Sequence, residues 1–300
     1  MIDLRYHIYS LVAVFLALAL GILIGAAFIA PGTSDGKEII RRRTLITELE
    51  KRFDVLREEI DEKQELAAST QSLLDQTEQV CKALIPAAVA GRLSYRNVAI
   101  IQTGGSDEAV SAVRSALAQA GARVTVFARV EDEMSPDSAR VTEVAQSLGL
   151  DADCAAPEAY NAALAATANC LVWAKEAEKL AAMERSNLIT ISGSVNHWNR
   201  LVVLVGGAES AKRDRAQALD VPLIDLLQKK GAQVVGCEDF NAPVSYVGAY
   251  AGKGISTVDN IDQAAGQIGL VYALTGERGN FGVKKTADRL IPRTLENYGN

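Results

Sequence analysis

The chain has 300 residues, 49% of them hydrophobic and 23% charged, with a formal net charge of −6. This is the composition of a globular protein, and its acidic balance removes any general attraction for nucleic acid. Aromatics make up only 5%, and no series of alternating segments of about ten residues recurs, which argues against a membrane β-barrel.

After the head MIDLRYHIYS, residues 1–10, the run Leu11–Ala30 carries no charge. A helix of roughly 20 apolar residues matches the hydrocarbon thickness of a bilayer, about 30 Å. The spacing predicts a transmembrane helix over 11–30, retained rather than cleaved, because it is longer than a secretory h-region of about 7–15 residues. The lipid bilayer is therefore the first expected partner. Gly21-x-x-x-Gly25 is a small-residue pair that lets two such helices approach closely. Lys37, Arg41, Arg42 and Arg43 follow the run, and counted alone they place that side in the cytoplasm.

Pro31–Gly36 has the composition of a hinge. A heptad then begins, with Ile39, Ile46, Phe53, Ile60, Ala67, Leu74 and Cys81 at position a and a mixed set, including Leu49 and Leu56, at d. It predicts a coiled-coil stalk over 37–85, ended by Pro86. Its partner is either further copies of the chain, in a homodimer or higher homo-oligomer joined through Ile46, Leu49, Phe53, Leu56 and Ile60 together with Gly21 and Gly25, or the chain's own domain.

Residues 97–300 read as a Rossmann-like α/β domain with a doubly wound, mostly parallel sheet. Asn97–Thr103 is a β-branched run, Gly104-Gly105 a turn, Val110, Val113 and Leu117 one helix face, and Arg123–Arg129 a second strand. Leu201–Val205, Gly206-Gly207, a helix running towards Lys230 and Gln233–Cys237 repeat that grammar. Between the halves, 138–148 and 160–184 read as helical and Leu188–Ile191 as a short strand. In the tail, Asp259 is expected to cap a helix bearing Ile261, Ala264, Ile268 and Val271, with Asp262 at its positive end.

Chemistry is sparse. Gly104, Gly105, Gly206 and Gly207 stand where nucleotide-binding folds hold phosphate, but neither pair continues into a phosphate-binding motif. Asp107, Glu108 and Glu209 are expected at the helix starts, where they would repel phosphate. Asp259 and Asn260 belong to a loop able to serve a cleft. His197 beside Trp198 has no nucleophile partner, so no enzyme activity is expected. Cys81, Cys154, Cys170 and Cys237 form no C-x-x-C pair and, like Met134 and Met183, are dispersed. No metal site and no cofactor follow from the residues. What they support is a scaffold presenting an α/β domain on a stalk.

The opening MIDLRYHIYSLVAVFLALALGILIG, the tail motif STVDNIDQAAG with LVYAL after it, and FGVK resemble the MctB family, the mycobacterial copper-transport protein B group. The resemblance covers nearly the whole chain. It implies a single-pass envelope protein with an extracytoplasmic α/β domain and a role in copper transport, efflux and homeostasis. Copper enters the expectations through this resemblance alone.

Overall fold

The computed structural model describes residues 4–28 and 36–296, with side chains described for 11–25 and 43–296. The hinge residues 31–35 and the first three residues lie outside these. The chain divides into two units, Met1–Ser72 and Leu73–Asn300.

The first unit holds helix α1 (Leu4–Phe28) and most of α2 (Gly36–Val89). Among the described residues no helix is long and apolar enough to cross a membrane. A Cβ on Gly21 or Gly25 would meet nothing within 4 Å. Along α2, Ile46, Leu49, Phe53, Leu56 and Ile60 are exposed.

Pro86 does not stop α2, which continues to Val89. Proline removes one helical hydrogen bond. Here the flanking Ile85 and Val89 are buried, 2% and 0% exposed, and that burial offsets the loss.

The second unit is built on β1 (Asn97–Gln102), α3 (Asp107–Gln119), β2 (Arg123–Val130), α4 (Ala139–Glu143), α5 (Ala145–Leu148), α6 (Ala156–Trp173), α7 (Ala177–Arg185), β3 (Ile189–Gly193), β4 (Leu201–Val205), α8 (Val221–Lys229), β5 (Gln233–Cys237), α9 (Val247–Gly252), β6 (Ser256–Val258), α10 (Ala264–Thr275), β7 (Asn280–Phe281) and α11 (Arg293–Glu296). The seven strands form one sheet in the order β3-β2-β1-β4-β5-β6-β7. All neighbours are parallel except β2 and β3, so the fold is mixed α/β with a mostly parallel sheet. Chain order reverses between β1 and β4, the arrangement of a doubly wound sheet, and ligands of such sheets bind beyond the strand ends at that point.

Period-two alternation distributes the strands between two cores. Ala99, Ile101, Val202 and Leu204 face the core built with α6 and α8. Val98, Ile100, Val203 and Val205 face the core built with α3, α10 and the last turns of α2. β4 is buried along its whole length, as its unbroken Leu-Val-Val-Leu-Val demands.

Three local expectations are corrected. The segment 160–184 is two helices, α6 and α7, broken where Ala174 and Glu176 take φ of 55° and 64°. No helix follows Gly206-Gly207 directly; a short 3-10 turn (Ala211–Arg213) and a π-helical turn (Ala216–Asp220) come first, and α8 starts only at Val221. Asp259 does not cap the tail helix. α10 starts at Ala264 behind Gln263, and the Asp259 carboxylate instead accepts from the backbone amides of Val283 and Lys284 at 2.9 and 2.8 Å. Two amide donors folded back by the following segment satisfy that buried carboxylate better than a helix end would.

Candidate functional site

The two glycine turns meet each other. Gly105 N–H donates to Gly207 O at 2.9 Å, and a Cβ on Gly104 would lie 2.0 Å from that same oxygen. A Cβ on Gly206 would lie 1.8 Å from the Tyr250 hydroxyl. Glycine is required at 104 because backbone packs on backbone, and at 206 because the Tyr250 and Tyr246 rings fill the space of a side chain. Ser106 caps α3, its Oγ accepting from Ala109 N–H at 3.0 Å. Ser106 N–H and Oγ–H both donate to the Asp239 carboxylate, each at 3.0 Å. A carboxylate of the chain itself therefore occupies the anion position at this helix start. Asp107 and Glu108 add two more in the first turn of α3. Glu209 lies just before the 3-10 turn Ala211–Arg213 and pairs with Arg213 at 3.4 Å.

Beside these turns, at the carboxyl ends of β1 and β2, is an open polar cleft of about 960 Å³. Its wall carries six carboxylates, Asp107, Glu108, Glu131, Asp132, Glu133 and Glu209, against four guanidinium groups, Arg129, Arg140, Arg213 and Arg215. Each arginine already has a carboxylate partner: Asp107 for Arg129, Glu133 for Arg140, Glu209 for Arg213 and Asp132 for Arg215. The surplus is acidic. Arg215 is the most firmly held, donating to the carbonyls of Thr103 at 2.7 Å and Glu131 at 2.8 Å. Three hydroxyls on the wall are spent on carboxylates: Thr103 on Asp220, Ser106 on Asp239, Thr190 on Glu131. The lining contains no histidine, cysteine or lysine. Such a wall can hold a polar or cationic group.

Beneath the cleft lies Asp220, at the end of the π-helical turn and fully buried. Its Oδ2 accepts from Thr103 Oγ1 at 2.9 Å and from Tyr250 Oη, while Oδ1 has no partner. Burial pushes its carboxyl up to about 7, although the bonds from Tyr250 and Thr103 and the charge of Arg215 pull the other way. Burial raises the Tyr250 phenol as well, so it stays protonated.

A second buried corner gathers Glu238, Asp259 and Asn260 at the ends of β5 and β6. Glu238 is 0% exposed and accepts from Ser245 Oγ, Tyr246 N–H and Lys284 Nζ at 2.5, 2.6 and 2.5 Å. Asn260 donates from Nδ2 to Gln263 Oε1 at 3.1 Å and has an unpartnered Oδ1. Asp259 and Asn260 are both buried, and Lys284 ties this corner to the tail.

A family model described as "Copper transport outer membrane protein, MctB" matches residues 1–292. The chain belongs to the MctB family. Among its relatives are proteins named "Copper transporter MctB" from Mycobacterium tuberculosis (strain ATCC 25618 / H37Rv) and Mycobacterium bovis (strain ATCC BAA-935 / AF2122/97). Each is 27% identical over 316 aligned residues, covering 94% of this chain and 96% of the relative.

Among the described residues no group of three or more His, Cys, Asp or Glu is placed to hold a metal ion. Met134 and Met183 are core residues, 1% and 0% exposed. Burial pushes the Cys170 thiol up to about 11 and raises Cys237 further, which disfavours the thiolate that a soft metal needs.

Sequence reasoning brought out the glycine pairs and Asp107, Glu108 and Glu209. It missed Arg215, Asp220, Asp239 and Tyr250. The signal that finds Asp220 is a lone carboxylate immediately before the apolar run Val-Pro-Leu-Ile of α8, where burial follows from the helix face.

Proposed function

We propose that this protein is a non-enzymatic, single-pass envelope protein that contributes to copper transport and homeostasis, with copper as cargo of an assembly rather than ligand of the α/β domain. The match of the family model over residues 1–292 carries this reading. The near-complete alignment with relatives named for copper transport supports it. The anchor is α1: its backbone is helical from Leu4 to Phe28, and the sequence is uncharged from Leu11 to Ala30. The α/β domain then faces the extracytoplasmic side. Deleting the gene and measuring cell-associated copper under copper load tests the role. The deletion is expected to raise copper several-fold, and the full chain to restore it; an unchanged copper content would dismiss the proposal.

A second reading is a scaffold that holds the domain away from the bilayer through a parallel coiled coil. The exposed seam of Ile46, Leu49, Phe53, Leu56 and Ile60 favours it, because apolar side chains at heptad spacing are covered in a stable coil. In this reading Gly21 and Gly25 let the anchors of two copies pack together.

A further inference from the structure

The other end of the sheet, where β1, β2, β4 and β5 begin, differs from the cleft in charge and chemistry. Tyr95 stands 100% exposed just before β1, with φ of 63°. A bulky side chain in that left-handed region is strained. Its full exposure means that the strain is not repaid by burying the ring. Trp198, 66% exposed, meets the 37%-exposed Trp173 edge to face at 5.4 Å. The Trp198 carbonyl accepts from Asn97 Nδ2 at 3.3 Å, which holds this loop beside Tyr95.

Three arginines share the face. Arg96, Arg123 and Arg200 are exposed, and among the described residues none of them forms an ion pair. Their backbones are fixed by the sheet: Arg123 N–H donates to Arg96 O at 2.8 Å, and Gln233 N–H to Arg200 O at 2.7 Å. Two depressions flank Tyr95. One of about 400 Å³ runs between Tyr95, Trp198, Arg96 and Arg200. The other, about 450 Å³, runs between Tyr95, Ser94 and Arg123. Neither lining includes an Asp or Glu, in a chain whose net charge is −6.

We propose that this face is a docking surface for an acidic peptide segment of a partner protein. Its carboxylates pair with Arg96, Arg123 and Arg200, and one apolar side chain lies between Tyr95 and Trp198. Charge complementarity selects the class of occupant. The planar guanidinium fork matches a carboxylate in a bidentate pair. Exposed Tyr, Trp and Arg are the residues that dominate protein–protein binding energy. The depressions favour a peptide over a bilayer, since an extended segment enters a groove that a flat lipid surface spans.

Trp173 and Trp198 are the chain's two tryptophans, so intrinsic fluorescence reports this face directly. The test uses the full chain in phosphatidylcholine nanodiscs, titrated with a short peptide of glutamates around one leucine. A saturable emission change is expected, with a dissociation constant below about 1 mM. Added salt and the pair of changes Arg96→Glu and Arg200→Glu should each weaken binding about tenfold or more. Both positions are exposed, and an unchanged far-ultraviolet circular dichroism spectrum confirms the fold. An emission change that survives the double substitution, or none at all, overturns the proposal. So does a response to phosphatidylglycerol vesicles with none to the peptide, which would make the face a lipid contact. An emission that instead follows protein concentration without peptide would assign the face to a second copy of this chain and overturn the proposal equally.

Discussion

Asp220 couples the floor of the cleft to proton concentration. The folded state raises its carboxyl to about 7, against an ordinary value near 4. Between those values the folded chain binds a proton that the unfolded chain has released. The stability contributed by this carboxyl is therefore fully present below about pH 4, declines as pH rises, and is lost above about pH 7. Asp220→Asn keeps an acceptor for Tyr250 and Thr103 and removes the ionisation. The variant is expected to be more stable than the parent by about 2 kcal/mol at pH 8, with the difference shrinking towards pH 5. Urea denaturation at the two pH values measures it, and parallel pH dependence of the two proteins would contradict the assignment. Nothing in the local sequence announces this residue's proton affinity. It comes from complete burial under segments distant in sequence, which outweighs the opposing hydrogen bonds from Tyr250 and Thr103. The glycine pairs, by contrast, are visible as turns, although their contact with one another is not.

At the level of elements, the last turns of α2 belong to the α/β unit. Ile85 and Val89 are buried in its core with Leu93 behind them, and Cys81 packs against the same cluster. Glu78 Oε1 accepts from Ala264 N–H at 2.9 Å and so caps α10, the role expected of Asp259. Arg92 lies over the Tyr272 ring at 4.1 Å. A chain begun at Asn97 loses three buried aliphatic side chains, each worth about 1.5–3 kcal/mol, from a fold whose net stability is typically about 5–15 kcal/mol. It is expected to melt at least about 10 °C below a chain begun at Leu73, or to fail to fold. Differential scanning fluorimetry compares the two, and equal melting temperatures would refute this role for α2. The heptad pattern alone does not reveal where the helix changes partners. Apolar residues three and four apart serve a second helix and a domain surface equally well. Strands β1, β2, β4 and β5 are legible because their β-branched runs are bounded by glycine turns or charged residues. The cap of α10 is not, since Ser-Thr-Val-Asp-Asn has the same composition whether its carboxylate turns to a helix or to a returning loop.

For the whole molecule, the scaffold reading we propose makes the seam on α2 the site of assembly. Phe53 is 58% exposed, Leu56 53% and Ile60 52%, which leaves an apolar stripe that association can cover. Chains anchored in one membrane on the same side must pair in parallel, which places like positions of the seam opposite each other. The pairing we propose is modest, since Lys63 falls at a d position and bonds to Glu59 of its own helix at 2.9 Å. Phe53→Glu puts two carboxylates against each other in an apolar seam, so the full chain in neutral detergent is expected to pass from dimer to monomer by light scattering. Oxidative cross-linking then separates the two uses of the stripe. Ile46→Cys should form a disulfide between copies, because a parallel coil brings equal positions within bonding range. Cys81 occupies the same heptad position but is committed to the core of its own domain, so it should remain a free thiol. Cross-linking through Cys81 in preference to position 46 would mean that the copies meet through their domains, and the coiled-coil reading of the stalk would fall with it.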